Sequence, residues 1–330
     1  MRRYRATTFA AVLTAGVLAL AACSSGSPSG EEPEPSTDGG TEELVPITVG
    51  VLSIAPAAAI QYGIDEGIFE EHGLDVSTQV AQGGAAMLPA VSTGQIDFGV
   101  GNPLSVLVAA SQGVDVRVVT GYSFSMAEGD DINAVVARAG DGIESWADLA
   151  GKSVSVNAVN TQGDLTIKES VAKDGGDPDS VKFIEIAFPD ALAQLDSGNV
   201  DAVWIPEPFL SRAGADPSKY VTVGYPNQES IPGMATMVTF ASGDVAEDAE
   251  LLEKWRAALA DVLDAATEDR EGFGAAIASF TGMPAEVATD LRLERLTADL
   301  DAALITDLSD LAVKYQFISE EPDLDTVIVP

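Results

Sequence analysis

One cysteine and one histidine occur in 330 residues. A single thiol cannot close an intramolecular disulfide, so no bridge framework staples this chain. A His/Cys metal centre needs several convergent ligands, and none can be assembled here; no metal and no other cofactor is expected. His72 lies in Glu70-Glu71-His72-Gly73, the charged end of a helix-like segment, where surface capping is its expected job. A nucleophile–histidine–acid set therefore lacks its base. The sequence also holds no G-x-S-x-G elbow, no Walker loop and no H-E-x-x-H. These absences predict a protein that is not an enzyme. Positive charge is scarce as well: 17 Lys and Arg stand against 52 Asp and Glu, a formal net charge of −35. Such a surface cannot neutralise phosphates, which excludes nucleic acid as a partner.

Long apolar runs are absent except at the N-terminus. Arg2, Arg3 and Arg5 precede an apolar stretch over 9–22, interrupted only by Thr14 and Gly16. Its length is short of the roughly twenty residues a membrane span needs, and its basic start and small-residue end are those of an export signal, here 1–22. The tetrad Leu20-Ala21-Ala22-Cys23 resembles the lipobox of bacterial lipoproteins. That resemblance implies cleavage before Cys23 and acylation of its thiol. Residues 24–43 are Ser, Gly, Pro, Thr and acid with no apolar residue, so 23–45 reads as a lipidated cysteine followed by a disordered acidic tether.

Beyond the tether, β-branched runs alternate with helix-like segments. Strands are expected at 47–53, 74–81, 96–100 and 116–121, with helices at 57–69, 85–93 and 104–112 between them. The pattern restarts near Ile132, with strands at 132–138, 153–157, 181–187 and 202–205 and helices at 162–173 and 190–196. A long strand over 234–241 leads into an amphipathic helix over 247–270, further helices to about 316, and an extended end over 317–330. Alternation of this kind means βαβ units and a mostly parallel sheet. The restart has a sequence echo. LPAVSTGQID (88–97) and LAQLDSGNVD (192–201) align Leu88, Val91, Gly94, Ile96 and Asp97 with Leu192, Leu195, Gly198, Val200 and Asp201. Two lobes built on one βαβ plan explain it.

Four stretches carry a family resemblance: VGVLSIAPAAAIQYGIDEGIFEEHGLDV, STGQIDFGVGNPLSVLVAASQG, SWADLAGKSVSV and LDSGNVDAVWIPEPF. In this order and spacing they resemble the SsuA/THI5-like solute-binding proteins of ABC importers. The resemblance implies a type II periplasmic-binding-protein-like α/β fold, two βαβ lobes with a cleft and two hinge crossings. Lobe I would comprise 46–136 plus 238–330 and lobe II 137–237, with hinges near 135–137 and 237–240. It also implies a function: capture of a small solute between the lobes and delivery to an ABC permease with its ATPase. The protein would be a monomer held by lipid on Cys23 at the outer face of the bacterial cytoplasmic membrane. A sensor of the same fold, feeding a membrane signalling protein, is the alternative.

In α/β folds ligands bind beyond the carboxyl ends of the strands. That rule selects Ser53, Gly83 and Gly84, Gly101 and Asn102, then Asn157, Asn160, Thr161 and Gln162, then Trp204 and Glu207, with Tyr122 as a ring that could stack on a ligand. Each has a structural alternative. The Gly83-Gly84 pair can be a turn, Asn102, Asn160 or Thr161 a helix cap, Glu207 a cap or solvated charge, and Trp204 and Tyr122 core. None of these loops contains Lys or Arg. An anion would rely on amides and helix N-termini, whereas a carboxylate and rings in the cleft would suit an amine-bearing aromatic. A sulfonate, taurine or related anion is placed slightly ahead of an aminopyrimidine-type nutrient.

Overall fold

In a computed structural model of the protein, residues 43–329 are described. The export signal, Cys23 and the tether up to residue 42 lie outside the described residues. Val45, expected at the end of the tether, already opens a strand.

Eleven strands form two sheets. In chain order they are β1 (Val45–Leu52), β2 (Leu74–Ala81), β3 (Phe98–Gly101), β4 (Val116–Phe124), β5 (Asn133–Arg138), β6 (Ser153–Val156), β7 (Lys182–Glu185), β8 (Ala202–Pro206), β9 (Tyr220–Gly224), β10 (Ala235–Ser242) and β11 (Arg295–Leu296). The first sheet has the order β2-β1-β3-β10-β4-β11 and the second β7-β6-β8-β5-β9. Each contains a parallel triplet, β2-β1-β3 or β7-β6-β8. Each triplet is flanked by an antiparallel strand, β10 against β3 and β5 against β8. The two sheets thus follow one plan, as the sequence echo requires.

The echo has a physical cause in both copies. Gly94 and Gly198 end their helices at φ 69° and 73°, a left-handed conformation that favours glycine. The Asp that follows staples the next strand to its parallel neighbour. Thr48 N–H donates to Asp97 Oδ2 at 2.8 Å, and Ser153 N–H donates to Asp201 Oδ2 at 2.7 Å. The main chain returns the contact, Asp97 N–H to Thr48 O and Asp201 N–H to Ser153 O, both at 2.9 Å. Leu195, Val91, Ile96 and Val200 are buried in both copies.

Several expectations are corrected. The helix expected over 57–69 is two, Ala58–Asp65 and Ile68–Glu71, broken at left-handed Gly67. The short strands β9 and β11 have too little apolar alternation to be read from sequence. The C-terminal stretch is not simply extended: Leu324–Val327 is helical under an Asp323 cap, and Ile328 bridges to Val118. Residues 135–137 and 237–240, expected as hinges, lie inside β5 and β10. The chain passes from one sheet to the other over 125–132 and returns over 225–234, between β4 and β5 and between β9 and β10.

Candidate functional site

A cavity of about 40 Å³ lies between the two sheets. Its walls follow from the topology. The carboxyl ends of the parallel strands supply Leu52, Gly101, Asn102, Asn157 and Trp204. The antiparallel strands run the other way, so their starts face the same space, with Asn133 on β5 and Thr236 on β10. Gln162, Phe188 and Asn227 come from the first turns of three helices. Glu294, just before β11, closes the wall.

The cavity is polar and unsatisfied. Gln162 Oε1, Trp204 Nε1 and Asn227 Nδ2 are buried without a hydrogen-bond partner. Their residues are 2%, 7% and 1% exposed. Leaving such groups orphaned costs about 1–3 kcal/mol each, so they mark a place where something else is meant to bond. The Glu294 carboxylate is 6% exposed. Oε1 accepts from Asn133 Nδ2 at 3.0 Å and Oε2 from Thr236 Oγ1 at 2.7 Å. Burial, with Asp131 nearby, pushes its carboxyl up to about 8. Among the described residues no Lys, Arg or His lines the cavity.

Glycines bring the walls together. A Cβ on Gly101 would stand 2.8 Å from Gly84 Cα, and one on Gly163 would stand 2.6 Å from the Trp204 ring. The Trp204 ring is held between that glycine and an edge-on Phe188, with centroids 5.6 Å apart. A Cβ on Gly83 would meet Asn157 Nδ2 at 2.9 Å. That amide donates to Gln82 O at 3.0 Å, a bond joining the two halves across the cavity mouth. Ser53 lies beside this mouth with Gln82 and Phe188.

Of the residues selected from sequence, Gly101, Asn102, Asn157, Gln162 and Trp204 line the cavity. Asn102 caps its helix as well, with Oδ1 accepting from Ser105 N–H at 2.9 Å. Ser53, Gly83 and Gly84 lie beside the lining residues, and the remaining four stand apart from the cavity. Tyr122 is fully buried in the first half, its hydroxyl donating to Pro56 O at 2.9 Å, and does not line the cavity. Glu207 turns into the helix behind it, accepting from Ser211 N–H at 2.8 Å and Ser211 Oγ at 2.9 Å. Burial raises its carboxyl despite those bonds. Asn160 is an exposed left-handed residue, and Thr161 N–H is capped by Asp164 at 2.8 Å. Sequence reasoning missed Asn133, Asn227, Thr236 and Glu294. The one available signal was Asn133, a lone polar residue in an apolar strand.

The halves are also tied at the rim. Glu169, on the Gln162–Lys173 helix, accepts from Lys314 Nζ at 2.5 Å and Tyr315 OH at 2.8 Å. Lys314 ends the Ala302–Lys314 helix, which packs on the Pro103–Ser111 helix of the first half. Burial would raise the Glu169 carboxyl, but the bonds from Lys314 and Tyr315 outweigh it and hold it below the usual range. Among the described residues no cluster of His, Cys, Asp and Glu could hold a metal ion, and no helix is long and apolar enough to cross a membrane.

The chain is similar to several characterised proteins. It is 28% identical to a putative binding protein of Brucella abortus over 165 residues, 49% of each chain, so it spans about half the length of that relative. It is 26% identical to the formylaminopyrimidine-binding protein of Halalkalibacterium halodurans over 254 residues, 75% of this chain and 71% of that one. The fold matches the alkanesulfonate-binding protein SsuA of Xanthomonas axonopodis pv. citri bound to MOPS, with a TM-score of 0.73, 17% identity, and 87% and 98% of the two chains covered. A desulfurization enzyme, DSZB, shares the fold at a TM-score of 0.63 and 17% identity over 87% of this chain and 96% of its own. The NMT1/THI5-like family model matches residues 56–272. That match covers more than half of the chain, and the protein belongs to the NMT1/THI5-like family.

Proposed function

We propose that this protein is the extracytoplasmic solute-binding component of an ABC importer. It captures a small polar solute between its two halves and presents it to a membrane permease and its ATPase. The observation that carries this reading is the sheet-to-sheet cavity with three orphaned, buried polar atoms. Binding relatives and the SsuA-like fold support it. The cleft contains no nucleophile paired with a base, so capture without turnover fits its chemistry. In this reading Cys23 carries the lipid that holds the protein at the outer face of the membrane.

A cavity of about 40 Å³ has room for a few waters, whereas small-molecule sites measure roughly 300–1,000 Å³. A solute therefore enters only when the halves part. The two crossing segments, 125–132 and 225–234, are the places where they can do so, and they replace the hinges expected from sequence. The lobes are then the bodies built on the two sheets.

The reading is tested by a thermal-shift screen of the full chain against nitrate, alkanesulfonates, taurine, amines and aminopyrimidines. A ligand at a hundred times its Kd adds about 2.7 kcal/mol, a clear rise in Tm. Protein freed of carried-over ligand that responds to nothing in such a panel would count against solute capture. A second expectation concerns closure. A ligand holds the closed form only through its differential affinity, so contacts made only on closing contribute to apparent affinity. Glu169→Gln removes the charge that Lys314 pairs with, and Kd for a screened ligand should weaken about tenfold with faster release. Calorimetry showing an unchanged Kd would mean that the Glu169 contact does not depend on closure.

A further inference from the structure

The chemistry of the cavity wall sorts ligands by hydrogen-bonding sense and charge. Trp204 Nε1 and Asn227 Nδ2 can only donate, and Gln162 Oε1 can only accept. Glu294 sets a carboxyl into the same wall, bonded by Asn133, Thr236 and Ser123, all neutral partners. A second carboxyl, Asp131, stands behind it with Oδ2 unpartnered. No basic side chain lines the cavity to offset them. Arg292 lies outside the lining; its charge acts on Asp131, and it donates to Asp131 O at 3.2 Å and to Asp130 Oδ2 at 2.9 Å. An oxyanion has only acceptors. It could take the Trp204 and Asn227 donors, but it would leave Gln162 Oε1 unpaired and would oppose ionisation of Glu294 and Asp131. A ligand bearing N–H groups next to an acceptor completes both senses.

We propose that Glu294 is the specificity-determining residue of this cavity, selecting a solute with an N–H-bearing nitrogen group, an ammonium, amidinium or amino function, over an oxyanion. The inference rests on the solute-capture reading and deepens it. It reverses the order given by sequence, which placed a sulfonate first because Glu294 was not visible as part of the site.

A linkage follows. Burial holds Glu294 largely protonated near neutrality, with its titration at about 8. The titratable groups that face it are Asp131 on the crossing segment, itself influenced by Arg292, and Tyr122 on β4; Asn133, Thr236 and Ser123 are neutral. A cationic ligand favours the ionised carboxylate. Its entry therefore sends one proton from Glu294 to solvent, and its affinity rises with pH up to the Glu294 titration.

The experiment uses the full chain with four probes: acetamidine and 4-aminopyrimidine, which carry N–H donors, and ethanesulfonate and nitrate, which do not. Calorimetry in buffers of different ionisation enthalpy reads both affinity and proton release. The donor probes should bind. Acetamidine affinity should rise at least tenfold between about pH 6 and about pH 8, with proton release. Glu294→Gln should weaken both donor probes at least tenfold and flatten the pH dependence. This variant keeps the fold, because the Thr236 hydroxyl can turn its hydrogen to Ser123 O, 3.0 Å away, and accept from the new amide. Trp204→Phe, which removes one donor and keeps a ring, should weaken 4-aminopyrimidine while leaving the proton release on acetamidine binding intact. Binding of ethanesulfonate or nitrate alone, unchanged by Glu294→Gln, overturns the inference and leaves solute capture standing. No response to any probe overturns both.

Discussion

Trp255→Ala should destabilise the fold by about 3–5 kcal/mol and lower Tm by roughly 10 °C. The side chain is fully buried on the Ala249–Glu268 helix and lies between two rings from different elements. Phe98 of β3 stacks on it at 4.2 Å and 4°, and Phe69 at 5.8 Å and 12°. Its Nε1 donates to Thr239 Oγ1 at 3.3 Å on β10, and that hydroxyl is bonded to Thr120 at 2.6 Å on β4. One residue thus fastens the helical layer to three strands of the first sheet. Truncation leaves a cavity whose walls are strands and cannot collapse, which is the condition for a loss at the upper end. Trp255→Phe keeps most of the stack and forfeits the hydrogen bond, so its loss should be nearer 1 kcal/mol. Urea titration monitored by near- and far-ultraviolet dichroism distinguishes the two. A loss below 1 kcal/mol in the alanine variant would show that the helix repacks and that the stack is not what anchors it.

The same sheet shows what a sequence can and cannot disclose. Trp255 falls on a clean 3.6-residue apolar period, so its burial is legible, while its stacking partners, far off in sequence, are not. The two-sheet plan was legible because Asp97 and Asp201, with Gly94 and Gly198, do jobs that permit few residues: a main-chain staple and a left-handed cap. The strand-end rule found Gly101, Asn102, Asn157, Gln162 and Trp204 because parallel strands deliver their carboxyl ends to one side. It does not anticipate side chains that have a partner of their own, near or far in sequence. Glu207 bonds Ser211 four residues on, and Tyr122 reaches Pro56, so both leave the cavity that their backbones approach. It was blind to Asn133 and Thr236, which arrive at the starts of antiparallel strands. Glu294 was hidden for a different reason. In LRLERL a charged residue reads as a solvated face, and only the packing of that segment against β4, β5 and β10 buries it.

Between about pH 5 and about pH 8 the ligand-free protein should lose stability, and Glu294→Gln should abolish most of that loss. The sign follows from where the carboxyl titrates. An unfolded chain ionises Glu294 near its ordinary value of 4.5, whereas burial and Asp131 delay ionisation in the folded protein to about 8. Above 4.5 the unfolded state gives up a proton that the folded state keeps, so the contribution present at lower pH is lost progressively as pH rises to 8. A displacement of this size corresponds to a loss of at most about 5 kcal/mol, an upper figure because Glu294 and Asp131 titrate together. Asp131 and Asp164, each pushed up to about 6 by burial, add smaller contributions of the same sign. Asp201 and Glu169, both held low, act oppositely and only at more acid pH. Stability should therefore peak near pH 5. The net charge of −35 adds self-repulsion in the same direction as pH rises, but it is nearly the same in wild type and variant. Their difference isolates Glu294. Urea midpoints measured across the range should give a sloping wild-type line and a much flatter variant line, crossing at low pH. Parallel lines would show that Glu294 ionises in the fold at its ordinary value, in a cavity that admits water. A cation seated against the carboxylate would remove the same slope in wild type, so the stability that the empty cavity loses at neutral pH is what a donor-bearing ligand restores on binding.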